Sequence, residues 1–156
     1  MIKNKKPICI IPARGGSKRI KNKNLVKVSG KSLIEHSIAI AKKSKIFSKI
    51  FVSTDSKKIA KVSKKAGAEV PFLRPKYLSG PQTTIKETLH DFILSLGSEN
   101  VKYHCCLFPA AILIKPKDLR VAYLKTQNNK YDAILSVVEN KTFFKSFIKK
   151  KKFVEF

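Results

Sequence analysis

The stretch that decides the fold runs from residue 8 to residue 24 and reads ICIIPARGGSKRIKNKN. Its first residues, 8–11, are apolar and stop at Pro12, which is typical of a short buried strand. A loop with two glycines and many cations follows at once. Glycine allows backbone N–H groups to approach an anion closely, and arginine and lysine add full positive charges. The stretch therefore predicts a strand that leads into a phosphate-binding loop.

The loop does not fit the common glycine-rich phosphate-binding motifs. It matches neither G-x-x-x-x-G-K-[ST] nor G-x-G-x-x-G. Spacing alone leaves two interpretations open, a phosphate-binding loop or a basic surface turn after a strand. Three of its cations are candidates for a triphosphate, because together they could neutralise the charge that moves onto a leaving pyrophosphate: Arg14, Lys18 and Lys23.

Strand and helix signals alternate along the rest of the chain. Apolar runs predict strands at residues 7–11, 49–53, 68–73, 103–108 and 133–138. Amphipathic periodicity predicts helices at residues 31–43, 56–66, 84–96 and 116–125, the third of them opened by a capping box, TIKE. Buried strands that alternate with amphipathic helices predict an α/β fold with three layers, α/β/α, around a mainly parallel sheet.

The charge of the chain is strongly positive. Its 156 residues include 34 Lys and Arg against 10 Asp and Glu, a formal net charge of +24. Such a charge attracts any polyanion, so a nucleic-acid-binding module is one interpretation. The lysines, however, are spread over every segment, and only four of the basic residues are arginine. We therefore favour a lysine-rich composition, with non-specific attraction to nucleic acid, over a dedicated nucleic-acid surface.

Cysteine spacing and the length of the apolar runs argue against two classes of protein. The three cysteines, Cys9, Cys105 and Cys106, show no C-x-x-C spacing, so we expect buried reduced thiols rather than a metal or redox pair. The longest apolar run is too short to span a bilayer, and residues 7–11 are too short for the core of a signal peptide. We expect a cytoplasmic protein with no membrane partner.

Several motifs carry a resemblance to a known family. Residues 11–20, IPARGGSKRI, followed by Lys23 and Asn24, resemble the opening signature of the acylneuraminate cytidylyltransferases, also called CMP-sialic acid synthetases. Later segments are also similar to family elements, the last of them to the CMP-pseudaminic acid synthetase branch: 49–55 (KIFVSTD), 68–75 (AEVPFLRP) and 103–108 (YHCCLF).

This resemblance implies a Rossmann-like fold of the nucleotide-diphospho-sugar transferase type and a particular reaction. The anomeric hydroxyl of a nine-carbon (nonulosonic) sugar acid attacks the α-phosphate of CTP, pyrophosphate leaves with the aid of Mg²⁺, and a CMP-sugar remains. The resemblance implies catalytic roles for Arg14, Lys18 and Lys23. It implies nucleotide contacts for a larger set: Ala13, Arg14, Gly15, Gly16, Ser17, Lys18, Lys23, Asn24, Arg74, Thr83 and Thr84.

The resemblance also divides the chain. Residues 1–138 are expected to form a nucleotide-binding α/β domain, and residues 139–156 to begin a shortened hairpin or tail where family members form a dimerisation hairpin. A homodimer is expected by resemblance, although most of the segment that would make it is absent.

The chain departs from the family pattern in two places. The segment after the fourth strand, usually Pro-Thr-Ser-Pro or Ala-Thr-Ala-Pro, is here 109–112, PAAI, which lacks the hydroxyls. The later carboxylates that hold Mg²⁺ in the family have no counterpart, so we assign no metal ligand. Asp55 could bind Mg²⁺ or, like Ser53 and Thr54, cap the next helix, and we favour the cap.

Two alternatives to an active cytidylyltransferase stay open. One is a shortened, catalytically impaired homologue that keeps the fold, and with it nucleotide binding. The other is the basic nucleic-acid-binding module. The histidines have no partners at catalytic spacing, so structural roles are expected for His36, His90 and His104.

Overall fold

All four predicted helices form, and the strands make one parallel sheet and one hairpin. A computed structural model describes residues 6–17, 20–98, 101–127 and 131–137. The strands are β1 Ile8–Pro12, β2 Lys27–Val28, β3 Lys31–Ser32, β4 Lys49–Ser53 and β5 His104–Cys106. The helices are α1 Leu33–Ser44, α2 Lys57–Lys65, α3 Ile85–Leu96 and α4 Pro116–Thr126, with short 3₁₀ helices at Lys23–Leu25 and Lys76–Leu78.

β1 lies at the centre of a three-stranded parallel sheet, between β4 and β5. Ile8 pairs with Lys49 on one side and with His104 on the other. The carboxyl ends of the strands therefore meet at one edge, where open α/β sheets bind their ligands. The predicted parallel sheet is confirmed.

Successive side chains of β1 point into two different cores. Cys9 and Ile11 face a cluster that α1 and α2 cover. Ile8 and Ile10 face the opposite cluster, which Phe92 of α3 covers. Because both faces are covered, β1 is apolar along its whole length, and the three-layer prediction is confirmed.

The predicted third strand is shorter than expected. Segment 68–73 adds a single parallel bridge, in which Glu69 pairs with Phe51. Glu69 N donates to Ile50 O at 2.9 Å, and Val52 N donates to Glu69 O at 2.9 Å. Proline has no N–H to donate to a ladder, and the proline at position 71 stops the pairing after this bridge.

The predicted fifth strand is wrong over the residues that the structure describes. Residues 133–137 form no strand, and the side chains of Leu135 and Val137 are 62% and 68% exposed. An apolar run becomes a strand only where a neighbouring strand accepts its hydrogen bonds, and the described residues offer none there. Val138 and the predicted tail, 139–156, lie outside the described residues.

Sequence reasoning missed the β2–β3 hairpin. Its two-residue turn consists of Ser29, with φ 47°, and Gly30, with φ 81°. Positive φ at both positions is the geometry that two-residue hairpins prefer, and it favours glycine. The Ser-Gly pair was the available signal.

The cap of α2 differs from the prediction. Ser56, not Ser53, Thr54 or Asp55, is the N-cap residue, and its Oγ accepts a hydrogen bond from Ile59 N at 3.4 Å. The carboxylate of Asp55 is thereby left for another partner.

The capping box of α3 is confirmed. Glu87 N donates to Thr84 Oγ1 at 3.2 Å, and Thr84 N donates to Glu87 Oε2 at 2.7 Å. This reciprocal pair fixes where α3 begins relative to the sheet edge.

Within the described ranges, no helix has the length and apolar character needed to cross a membrane.

Candidate functional site

A cavity of about 580 Å³ opens at the carboxyl edge of the sheet. Its walls come from the loop after β1, the segment before α3, the first turn of α3 and the residues after β5. Many of the predicted nucleotide contacts line it: Arg14, Ser17, Lys23, Asn24, Arg74, Thr83 and Thr84. The fold thus brings together side chains that lie up to 70 positions apart in the chain.

Other predicted contacts lie beside the cavity. Ala13 is fully buried, and its N–H donates to Ser53 O at 2.9 Å, which extends the β1–β4 ladder toward the loop. Gly15 and Gly16 belong to the loop but not to the cavity wall. Lys18 lies outside the described residues.

The loop after β1 is folded back on itself by internal hydrogen bonds. Asn24, only 6% exposed, donates from Nδ2 to Arg14 O at 2.9 Å. Ser17 N donates to Gly15 O at 2.9 Å. The amide side chain of Asn24 therefore holds the backbone of the loop next to Arg14, a role that the sequence pattern did not separate from ligand contact.

Gly15 lies where the loop approaches the start of α2 most closely. Gly15 N donates to Asp55 Oδ1 at 2.7 Å. A Cβ atom at position 15 would lie 3.0 Å from Ser56 Cβ, so a side chain would push the loop away. A Cβ atom at Gly16 would meet nothing within 4 Å. The first glycine is thus tightly packed against Ser56, whereas the second faces open space.

Asp55 is therefore not the cap of α2, and among the residues that the structure describes it belongs to no group of three or more possible metal ligands. Its Oδ1 accepts the hydrogen bond from the Gly15 amide, which corrects the favoured prediction. The Ser-Thr-Asp run at the end of β4 was the sequence signal for Asp55. The bonding partner of Asp55, Gly15, lies 40 positions earlier in the chain, and only the fold identifies it.

Arg14 spans the cavity. Its Nη1 donates to Gly80 O at 2.8 Å and so connects the loop after β1 to the segment before α3. A guanidinium has five N–H donors, so this bond orients the group and leaves donors for an anion. Sequence reasoning missed Gly80, although the Gly80-Pro81 pair is a turn signal.

Arg74 is the buried cation of the site. It is 8% exposed, and it donates from Nε to Ser53 Oγ at 3.1 Å and from Nη2 to Ser53 O at 2.7 Å. Burial lowers the pKa of the Arg74 guanidinium, Asp55 opposes this effect, and the charge of Arg14 adds to it. Two guanidiniums close enough to repel each other favour an anion between or beside them.

The first turn of α3 supplies hydroxyls that are already engaged. Thr84 Oγ1 donates to Glu87 Oε2 at 2.8 Å, and Thr88 Oγ1 donates to Thr84 O at 3.1 Å. Thr83 Oγ1 donates to Tyr77 O at 3.4 Å. The hydrogen bonds from the Thr84 backbone N–H and hydroxyl lower the pKa of Glu87. A ligand there could accept a hydrogen bond from one of these hydroxyls only by replacing its present acceptor, whereas a donor group on the ligand could bond to a lone pair of the hydroxyl oxygen.

The opposite wall of the cavity is apolar. It consists of Phe108, Pro109 and Ala110, and the Phe108 side chain is 51% exposed. Ser37 Oγ lies within hydrogen-bond distance of Phe108 O, at 3.2 Å, and of Pro109 O, at 3.1 Å, and so holds the segment from behind. Ile20, Leu78 and Ile85, which sequence reasoning did not single out, also line the cavity.

The histidines take the structural positions expected for them or lie on the surface. His36 Nε2 is bonded to Val28 O at 2.7 Å, and His104 Nε2 to Ser98 O at 3.2 Å. Burial lowers the pKa of His104. His90 is exposed on α3.

In the part of the chain that the structure describes, no group of three or more His, Cys, Asp or Glu side chains could hold a metal ion.

Comparison with known proteins identifies the family. The sequence profile of the Cytidylyltransferase family matches residues 8–153. The chain is 40% identical over 136 residues to pseudaminic acid cytidylyltransferase of Campylobacter jejuni, a match that covers 86% of this chain and 59% of that protein. It is 45% identical over 87 residues to CMP-N,N'-diacetyllegionaminic acid synthase of the same species, with 56% and 37% covered.

The fold comparison agrees. A solved structure of CMP:2-keto-3-deoxy-manno-octonic acid synthetase complexed with CTP superposes with a TM-score of 0.69, at 20% identity, over 80% of this chain and 48% of that one. The matches thus cover 37% to 59% of the lengths of these relatives. From the profile match and the shared fold, we conclude that the chain belongs to the cytidylyltransferase family.

Proposed function

We propose that this chain binds CTP in the cavity and transfers CMP to a nonulosonic sugar acid, with release of pyrophosphate. The observation that carries the proposal is the convergence of Arg14, Lys23 and the buried Arg74 on one cavity at the carboxyl edge of the sheet, in a chain of this family. The similarity to pseudaminic acid cytidylyltransferase makes a pseudaminic-type acid the first sugar to test.

The basic loop would bind the triphosphate. Arg14, fixed by Gly80 O, has donors left for phosphate oxygens, and Lys23 on the same cavity adds a second charge. Lys18 of the same loop is proposed for the same role. As the sugar hydroxyl forms its bond to the α-phosphorus and releases its proton to water, the bond from the α-phosphorus to the bridging oxygen of the β-phosphate breaks, and negative charge moves onto pyrophosphate. Fixed cations stabilise that charge, and positioning supplies the rest of the catalysis.

The remaining walls would hold the other two parts of the reactants. We propose that cytosine lies near Arg74, Thr83 and Thr84, where hydroxyl and guanidinium groups line the cavity. The wall of Phe108 and Ala110 would lie against the sugar acid and offers van der Waals contact rather than side-chain hydrogen bonds.

Mg²⁺ is the metal expected for this reaction, but the described residues do not fit a site of their own for it. The carboxylate of Asp55, which is bonded to the loop, uses Oδ1 to accept a hydrogen bond from the Gly15 amide, and the described residues bring together no group of three or more possible ligands. Mg²⁺ takes nearly octahedral oxygen ligands, keeps several of its waters and is usually held by one or two carboxylates together with substrate phosphates. The described residues thus offer no preassembled metal site, and the triphosphate itself would supply ligands to the ion.

The proposal extends to the organisation of the protein. Residues 1–138 would be the nucleotide-binding domain, and 139–156 would begin a segment through which two copies associate. A cytoplasmic location would follow from the use of CTP.

Calorimetric titration with CTP tests the proposal. It should be done with Mg²⁺, near physiological salt, on the natural sequence, Arg14→Ala and Arg120→Ala. Arg120 is exposed on α4, so its variant loses the same charge away from the cavity. We expect Arg14→Ala to weaken CTP binding at least tenfold, because one charge-assisted contact to phosphate is lost. Arg120→Ala should bind as the natural sequence does.

The same titration separates the alternatives. Preference for CTP over ATP and GTP, followed by formation of a CMP-sugar with pseudaminic acid, would support the enzyme. CTP binding without turnover would favour the impaired homologue. Equal and weak binding of all triphosphates and of oligonucleotides, abolished by salt, would leave only non-specific attraction by the net charge.

A further inference from the structure

We infer that Asp55 is a positioning residue that fastens the basic loop to the end of β4, and that its carboxylate holds the turn that carries Arg14 in place for the triphosphate. This inference rests on the proposed function. It concerns a carboxylate next to an anion site, which electrostatics alone would disfavour.

The attachment is a single short contact between two segments that are distant in sequence. Gly15 N donates to Asp55 Oδ1 at 2.7 Å, a distance typical of a charge-assisted hydrogen bond. The missing side chain of Gly15 allows the approach, since a Cβ atom there would lie 3.0 Å from Ser56 Cβ. Ser56 is itself fixed, because its N–H donates to Thr54 Oγ1 at 3.1 Å and it caps α2.

The bond lies one residue from Arg14. The loop is then held at three points: Gly15 by Asp55, the carbonyl of Arg14 by Asn24, and the Arg14 side chain by Gly80. Asn24 acts from within the loop, and Gly80 acts from across the cavity. At the end of β4, Ala13 N holds the start of the loop by donating to Ser53 O, and the Asp55 bond adds the next described contact, beyond Arg14. Loss of Asp55 would therefore release the turn that carries Arg14.

The charge of Asp55 has a second effect. It opposes the lowering of the pKa of Arg74, as Asp91 also does. The Asp55 carboxylate offsets the charge of the buried Arg74 guanidinium, while its Oδ1 accepts the hydrogen bond from the Gly15 amide. This amide is thus bonded to Asp55 rather than available to phosphate.

Three variants separate the hydrogen bond from the charge. Asp55→Ala removes both, Asp55→Asn keeps an acceptor oxygen and removes the charge, and Asp91→Ala removes a carboxylate that acts on Arg74 without touching the loop. The measurements are CTP affinity by calorimetry, the exchange rate of the Gly15 amide proton by NMR in the absence of ligand, and the melting temperature.

We expect Asp55→Ala to accelerate exchange of the Gly15 amide and to weaken CTP binding by about tenfold. Asp55→Asn should recover most of both, and Asp91→Ala should change neither. A fall in melting temperature alone would not produce this pattern, because measurements well below the transition report on folded protein.

Other results overturn the inference. Unchanged exchange in Asp55→Ala shows that the carboxylate does not hold the loop. Faster exchange with unchanged CTP affinity shows that the attachment is not used for binding, and equal losses in the Asn and Ala variants show that charge acts instead of the bond. If the natural sequence binds no CTP, the proposed function falls and the binding role of Asp55 with it, while exchange still reports on the attachment.

Discussion

Phe92→Ala should show how strongly α3 depends on one side chain. Phe92 is 1% exposed and is the large apolar side chain that α3 buries fully against the sheet. Its ring centroid lies 5.9 Å from that of Phe51 and 5.1 Å from that of Phe72. The other buried members of this cluster, Ile8 and Ile10, come from β1 and cannot replace the missing ring.

The expected loss is large for one substitution. Phenylalanine to alanine in a core costs about 3–5 kcal/mol of the free energy of unfolding. The two tilted ring pairs favour the upper half of this range, about 4 kcal/mol. For a chain of this length, 1 kcal/mol lowers the melting temperature by about 2–4 °C, so we expect a fall of about 8–16 °C.

Urea denaturation followed by circular dichroism measures the effect. The midpoint should fall while the slope of the free energy against urea stays constant, which indicates a stability change rather than a different unfolded state. Leu94→Ala is the matched control, because Leu94 lies on the same helix and is 50% exposed. A loss below about 2 kcal/mol for Phe92→Ala at an unchanged slope, or an equal loss for Leu94→Ala, would refute the reasoning about this core.

Three further predictions follow from local geometry. Ser56→Ala removes the acceptor for Ile59 N at the start of α2 and should lower the free energy of unfolding by about 1 kcal/mol, measured by urea denaturation; no loss would show that water replaces the cap. Gly67→Ala should cost about 1–2 kcal/mol because of its φ of +89°, while the clash with Lys42 Nζ at 2.5 Å is relieved by movement of that flexible chain. Burial raises the pKa of the Cys106 thiol from about 9 in the unfolded chain to about 11 in the folded protein. Between these two pH values the folded protein therefore keeps the thiol proton and the unfolded chain loses it. The contribution of this thiol to the free energy of unfolding is therefore fully present below pH 9 and is lost as the pH rises toward 11. In unfolding measurements across this pH range, Cys106→Ser should make the free energy of unfolding fall less steeply.

Long periodic elements could be predicted from the sequence because their signals are local. The capping box at Thr84 and Glu87 and the apolar run of β1 specify their own structure within a few residues. The strand predicted at 133–138 failed, over its described residues 133–137, for the opposite reason. A strand exists only through a partner, and an apolar run does not specify one.

The candidate site, like the fold, could be predicted from the sequence only in part. The residue types of the basic loop predicted that it binds an anion, and the strand-end rule located the loop at the sheet edge. The sequence did not separate residues that face the cavity from those that hold the loop. Asn24 was predicted as a nucleotide contact, and the structure bonds it to Arg14 O, while Asp55 was predicted as a cap and is bonded to the Gly15 amide.

The sequence by itself determined the α/β alternation, the positions of the helices and the cationic character of the loop after β1. These follow from the periodicity of apolar residues and from side-chain charge, which are properties of short segments. Only the tertiary structure decided that Arg14 meets Gly80, that Arg74 is buried against Ser53, and that Asp55 fastens the loop. Each of these contacts joins residues 21 to 66 positions apart, and it forms because the sheet and its two cores bring their backbones together.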